Sequence, residues 1–276
     1  MESSALRSNT GASPSFRKPP VVETALSIQF EELRSFRTTH FGEYYLTIRD
    51  QFPLVVDQPR IEHVVESFPA VRRVPALRIE PTIPRPGRVW FRDAADGCAM
   101  LQLQPDRFAF NWCRREEREY PRYATNQPKL FHEFRRLCEF AARHELGDVK
   151  PNLCEVTYVN HILPTQNESV IECFSAIFAG VNWESSDGWL LQPPDVAVLN
   201  RVYTIGEQKG RLYAEAAIAK DRRKGEFVEL KITARVIHRD GEDLQENLDL
   251  AHLWVVKSFV SLTDEQARTE RWEQQG

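Results

Sequence analysis

Residues 88–112 read RVWFRDAADGCAMLQLQPDRFAFNW, and this stretch decides the fold class. Asp96-Gly97 is a turn signal between two apolar runs, and Pro105-Asp106 marks a second turn. Between them Leu101 and Leu103 face one way while Gln102 and Gln104 face the other. After the second turn Phe108, Phe110 and Trp112 share a face. Period-two alternation in three short runs joined by tight turns predicts a three-stranded antiparallel meander.

Outward from the meander, the rest of the chain reads as further strands and a few packing helices. VVETALSIQF alternates, with Val22, Thr24, Leu26, Ile28 and Phe30 on one face, and predicts a half-buried strand. Phe41, Tyr44, Tyr45 and Ile48 recur at helical spacing behind a Thr38 or Thr39 cap, and Pro53 closes that helix. A proline-punctuated connection follows from 53 to 86, in which PALRIEP reads as an edge strand. Leu130, Phe131, Phe134, Leu137, Cys138 and Ala141 form the apolar stripe of a helix, with Gly147 as its C-terminal cap. CEVTYVNHI is a strand. Beyond the polar break PTQNE, Asn167 caps a short helix through VIECFSAIF. VAVLNRVYTI, RLYAEAAIAK and FVELKITARVI are three more strands, and in the last Val228, Leu230, Ile232, Ala234 and Val236 point inward. A helix starting near Asn247 or Asp249 carries Leu253, Trp254, Val256, Phe259 and Val260, and Thr263 with Gln266 has capping-box spacing for a second short helix.

The expected fold class is therefore α+β, with antiparallel meander sheets packed against helices. Each half offers a meander followed by a long helix, which suggests two related lobes. The expected division is a disordered arm over 1–19, rich in Ser, Pro and Gly, then an N-terminal lobe over 20–163 and a C-terminal lobe over 164–276.

Composition narrows the function classes. The chain has 276 residues, enough for a core that needs no disulfide or metal staple. Its 36 basic and 40 acidic residues give a formal charge of -4, which supplies no broad attraction for a phosphate backbone. Nucleic acid is thus an unindicated partner. The five cysteines, Cys98, Cys113, Cys138, Cys154 and Cys173, include no CxxC pair and sit in apolar surroundings. They read as reduced core thiols. The seven histidines are scattered without i,i+4 pairs, so no metal is expected. No Walker lysine loop, dinucleotide glycine loop, HExxH or serine elbow occurs, and no cofactor is expected. The opening MESSALRSNTGASPSFRKPP lacks the apolar core of a signal peptide, and no run is long enough to span a bilayer. A cytoplasmic location with no membrane contact is expected.

Six polar residues are the candidates for chemistry. Arg107 follows the Pro-Asp turn, and Asn111 lies on the face opposite Phe110 and Trp112, where solvent is the expected neighbour. Asn160 and His161 are adjacent in YVNHI and so point to opposite faces of one strand. Glu215 lies in RLYAEAAIAK, where a hairpin brings it toward Glu229 as a like-charge pair for acid–base work, while Lys231 and Arg235 of the same neighbouring strand offer the simpler outcome of cross-strand ion pairs. Three of the six around one pocket would make an enzyme.

PPVVETALSIQF, LQLQPDRFAFNW, YVNHI and AHLWVVKSFVSLT together resemble a sporadically distributed bacterial family of uncharacterised proteins, over about residues 19–276. The resemblance carries over no catalytic residue. Its patchy distribution implies mobile genetic cargo, which includes defence systems and toxin–antitoxin modules. The leading expectation is a non-catalytic protein-interaction or regulatory component of such a module. Its partner would be another protein, through a sheet edge or concave face, or a second copy in a homodimer. The alternatives are an enzyme with a convergent polar site and a small-ligand or nucleic-acid sensor.

Overall fold

A computed structural model describes residues 14–68, 87–94, 97–115, 118–178, 180–181, 194–222 and 224–275. The elements run β1 (Ser15–Phe16), β2 (Val21–Phe30), α1 (Thr38–Ile48), β3 (Leu54–Gln58), β4 (Arg88–Arg92), β5 (Ala99–Gln104), β6 (Arg107–Cys113) and α2 (Arg122–Arg143). They continue with β7 (Pro151–Ile162), α3 (Val170–Ile177), β8 (Val198–Ile205), β9 (Gly210–Asp221), β10 (Gly225–Ile237), α4 (Leu244–Leu262), α5 (Glu265–Trp272) and β11 (Gln274–Gln275). The fold is α+β, with mostly antiparallel pairing. The strand expected at PALRIEP lies outside the described residues.

The chain forms two compact units that do not follow chain order. Unit 1 comprises Met1–Thr24, Val156–Arg235 and Leu248–Gly276, and unit 2 comprises Ala25–Glu155 and Val236–Asn247. The expected cut between 163 and 164 falls instead inside unit 1. The reason is that β2, β7, β10 and α4 each contribute residues to both units.

In unit 2 the strand order is β3-β4-β5-β6-β2-β7. The meander over β4, β5 and β6 is antiparallel, with Leu101 opposite Phe110 and Gln102 opposite Ala109. At the β4–β5 turn Gly97 takes φ +64°, and its carbonyl accepts a 2.9 Å hydrogen bond from Arg115 Nε. One sheet face is apolar: Phe91, Leu101, Leu103, Phe108 and Phe110 are buried there. Phe134 of α2 packs at 6.1 Å from Phe108 and 6.2 Å from Phe30, while Tyr44 of α1 sits 5.4 Å from Phe140. Helical spacing predicts the buried stripe of α2 at Leu130, Phe134, Leu137 and Ala141, but Asn126 and Glu133 are buried on it as well. Phe131 and Cys138 are only half-buried. Leu146 N–H reaches Ala141 O, and the left-handed residue that closes α2 is Glu145 rather than Gly147. The edge strand β3 is exposed almost throughout. Sequence periodicity misses it because Pro53 and Pro59 bracket it and no face is buried.

In unit 1 the order is β2-β7-β10-β9-β8. The β8–β9 hairpin pairs Val198 with Ala217 through Ile205 with Gly210. Val228, Leu230, Ile232 and Ala234 of β10 are fully buried, as their alternation predicts. Helix α4 buries Leu248, Ala251, Val255, Phe259 and Leu262, while Leu253, Trp254, Val256 and Val260 are half-buried. Its stripe is therefore rotated from the expected one. Order also begins before Pro20. Ser15 pairs with Gln275, and Phe16 closes an aromatic cluster with Phe259 and Trp272 at 5.2 and 6.4 Å. Of the expected disordered arm, 1–13 lies outside the described residues. The caps differ from expectation by a few residues. Ser169 caps α3 through a capping box with Glu172, and Asp264 caps α5. At the start of α4, in unit 2, Asp243 accepts from Gln245 and Glu246 N–H.

Candidate functional site: a polar sheet face that holds a chain segment

The second face of the unit 2 sheet carries Trp90, Gln102, Gln104, Arg107 and Asn111, which the strand register places together. Gln29 and Asp106 join them from β2 and the β5–β6 turn through hydrogen bonds. Alternation predicts this face to be solvated. Yet Gln29, Gln104, Asp106, Arg107 and Asn111 are all buried, with exposures of 1–6%. Residues 59–67, which lack regular secondary structure, run over part of it. The contacts are made largely to the main chain of that segment, and side-chain periodicity does not record them.

Two glutamine amides grip the segment in the same way. Gln104 Oε1 accepts from Ile61 N–H at 3.1 Å, and its Nε2 donates to Ile61 O at 3.0 Å. Gln29 Oε1 accepts from Val64 N–H at 2.8 Å, and its Nε2 donates to Val64 O at 3.0 Å. Each amide thus imitates a backbone partner in a β ladder. The gripped residues are three apart, the spacing at which an extended polyproline-type chain presents the same edge again.

Neighbouring polar side chains fix both amides. Arg107 Nη2 donates to Gln29 Oε1 at 2.8 Å, and Gln29 Nε2 donates to Asn152 Oδ1 at 2.9 Å. Arg107 also pairs with Glu155 at 3.3 Å. Gln104 Nε2 donates to Asp106 Oδ1 at 2.6 Å. Asp106 Oδ2 then receives the segment's own side chains, His63 Nδ1 at 2.9 Å and Arg60 Nη2 at 3.2 Å. Burial alone would raise the Asp106 pKa, but bonds from His63 and Gln104 and the Arg60 charge outweigh it and hold the carboxyl below its ordinary value. Arg60 Nη1 reaches Glu32 at 2.8 Å, and Arg88 Nε donates to Pro59 O at 3.2 Å. Arg88 and Trp90 both donate to Gln102 Oε1, and Gln102 Nε2 donates to Asn111 Oδ1 at 2.7 Å. Arg88 and Arg92 flank the Trp90 ring at 5.3 and 5.4 Å.

Of the six residues singled out from sequence, Arg107 and Asn111 belong to this face. The other four lie in unit 1, on strands β7, β9 and β10. Asn160 is buried and donates to Leu230 O at 3.0 Å. His161 points away from it, 3.3 Å from Glu229 and 3.2 Å from Lys224, with its ring 4.2 Å from Phe227. Burial and the Lys224 charge lower the His161 pKa against the pull of Glu229. Lys231 and Glu215 form a half-exposed ion pair at 3.6 Å. Unit 1 also joins Arg271 to Glu168 at 2.5 Å and to Cys173 Sγ at 3.5 Å. Burial pushes the Cys173 thiol up to about 11, which opposes nucleophilic use.

Sequence reasoning missed Gln29, Gln104, Asp106, Arg60 and His63. One signal was present: the LQLQ alternation puts two amides on the face opposite the aromatic rings. Among the described residues no group of three His, Cys, Asp or Glu side chains is arranged to hold a metal, and no helix is long and apolar enough to cross a membrane. Compared with known proteins, the chain matches no family model, no curated protein and no solved structure.

Proposed function

We propose that this protein is a non-catalytic interaction component whose unit 2 sheet face receives an extended polypeptide segment. One observation carries the reading: Gln29 and Gln104 are pre-set by Arg107, Asn152 and Asp106 to pair with main-chain N–H and C=O groups three residues apart. In this structure the site is filled by residues 59–67 of the chain itself, which serve as an internal ligand. Asp106 adds side-chain preference, for a basic residue just before the first gripped position and a histidine just before the second.

The internal segment is displaceable in this reading. Ile61 and Val65 are 36% and 61% exposed, so little apolar burial holds it. Its attachment rests on half-buried hydrogen bonds worth about 0.5–1.5 kcal/mol each. A partner segment of the form Arg-apolar-x-His-apolar would make the same bonds. The resemblance adds the setting to this proposal, a bacterial defence or toxin-neutralising module.

The test supplies the segment in trans. A labelled peptide of residues 59–67, PRIEHVVES, is titrated by fluorescence anisotropy into full-length protein carrying Arg60→Ala and His63→Ala. Saturable binding is expected, at least about tenfold weaker in the unmodified protein because the internal segment competes. Adding Gln29→Leu and Gln104→Leu is expected to abolish it. No binding to the folded variant, or binding indifferent to the glutamines, would contradict the proposal.

A further inference from the structure

Strand β8 is the edge of the unit 1 strands, and among the described residues no strand lies beyond it. A strand with one face on a core exposes every second residue. In β8, however, Asn200, Arg201, Val202, Tyr203 and Thr204 are all exposed, on both faces, between a buried Leu199 and a buried Ile205. Val202 and Tyr203 leave apolar surface open there, at 45% and 39% exposure.

Exposed edges are ordinarily blunted by proline, by a bulge or by several charges. The edge strand of unit 2, β3, has Pro53 and Pro59 at its ends and Asp57 within it. β8 has no proline, its register with β9 runs unbroken from Val198–Ala217 to Ile205–Gly210, and Arg201 is its single charge. Ile218 N–H donates to Ala197 O in that same register, so Leu199, Arg201 and Tyr203 turn their main-chain groups toward β9. Alternation then turns the N–H and C=O of Asn200, Val202 and Thr204 outward, where nothing among the described residues pairs with them.

The order of the side chains says what fits this edge. Read outward from Val202, the strand is close to a palindrome in chemistry: Arg201 and Tyr203, then Asn200 and Thr204, then Leu199 and Ile205. An antiparallel second copy centred on Val202 sets each of these against its counterpart. Arg201 meets the Tyr203 ring, a pairing the molecule already makes between neighbouring strands, where Arg235 lies 4.8 Å from the Tyr213 ring. Asn200 meets Thr204, Leu199 meets Ile205, and Val202 meets itself. A register centred on Arg201 opposes two like charges, and one centred on Asn200 sets Arg201 against Leu199.

We infer that β8 is the contact of a homodimer, in which the β8 strands of two copies pair antiparallel about a two-fold axis at Val202 and join their unit 1 sheets edge to edge. The outward groups of Asn200 and Thr204 bond each other across the axis, and those of Val202 bond their own copies. A single pair of strands buries less than a standard interface, so the dimer forms and dissociates with concentration. β8 belongs to unit 1, and the inference does not depend on the segment-binding face of unit 2.

The test combines sedimentation velocity with amide hydrogen exchange on the full-length protein over a range of concentrations. A monomer–dimer equilibrium is expected, and the amides of Asn200, Val202 and Thr204 slow as concentration rises while those of Leu199, Arg201 and Tyr203 do not change. Val202→Lys, at an exposed position, opposes two charges on the axis and is expected to raise the dimer Kd at least about tenfold. Tyr203→Glu is expected to keep the dimer, because the carboxylate then faces Arg201 of the second copy. A monomer at every concentration up to about 1 mM would overturn the inference. So would a dimer indifferent to Val202→Lys, one dissolved by Tyr203→Glu, or one that leaves the three outward amides unprotected.

Discussion

The polar sheet residues of the two units meet different fates. In unit 1 Lys231 and Glu215 pair across neighbouring strands with their side chains about half exposed, 47% and 50%. In unit 2 Gln29, Gln104, Asp106 and Arg107 are withdrawn from water beneath a chain segment. The first arrangement leaves solvent to do most of the work, so removing a partner changes little. The second makes each hydrogen bond count, because a buried group that loses its partner bears its full desolvation cost. The contrast teaches that the same strand chemistry is decorative in one place and specific in another, according to what covers it.

The largest effect is expected from Asp106→Ala. It strips Arg60, His63 and Gln104 of their common acceptor, and denaturant unfolding should show a loss of about 2–4 kcal/mol. Gln104→Leu should cost less, about 1–3 kcal/mol, since Ile61 N–H and C=O lose their partner but can meet water once the segment lifts. Acid should sharpen the difference between the units. The Asp106 pKa is depressed below its ordinary 3.8, so its contribution is complete above that value and is lost as pH falls through the lower, folded value. Proton NMR on the unit 2 face should report that loss, and Asp106→Asn should abolish it.

Smaller effects come from single titrating groups. Burial raises the Glu133 pKa against the pull of Arg136 and His132, which works in the opposite sense: the folded state favours the protonated acid, so stability declines as pH rises from the ordinary 4.5 through the folded value. Glu133→Gln should remove that slope and raise stability at neutral pH by about 0.5–2 kcal/mol, as thermal unfolding would show. In unit 1 burial lowers the His252 pKa to about 4. Its neutral form is favoured on folding, so stability falls as pH drops from 6.5 toward about 4, and His252→Gln should flatten that limb in a urea titration. Least of all, Lys231→Ala should alter stability by under about 0.5 kcal/mol.

The meander and the long helix α2 were legible because periodicity of two and of 3.6 survives wherever one face is apolar: Leu101, Leu103, Phe108 and Phe110 in one case, Leu130, Phe134 and Leu137 in the other. Strand β1 was not, since Phe16 is a single ring among serines and prolines whose partners, Phe259 and Trp272, lie over 240 residues away. The division into units was hidden for a related reason: a strand such as β7 shows no mark at Glu155, where it passes from one unit to the other. Arg107 could be named as a candidate from its place after the Pro-Asp turn, and Asn111 from its place opposite the rings. The grip itself could not. Its partners are the main-chain groups of Ile61 and Val64, which every residue possesses, and Gln29 and Gln104 are far apart in sequence. Glu133 was concealed by standing in a stripe that reads as apolar.

Amide hydrogen exchange tests the central claim most directly, because Ile61 and Val64 N–H each donate to one of the gripping glutamines. If the face holds a replaceable segment, these two amides exchange through a local opening, faster than the core amides of Leu101 and Phe108. They accelerate further, by at least about tenfold, in Gln29→Leu/Gln104→Leu while the core rates hold. Exchange of Ile61 and Val64 only together with the core, at the rate of global unfolding, would contradict the account.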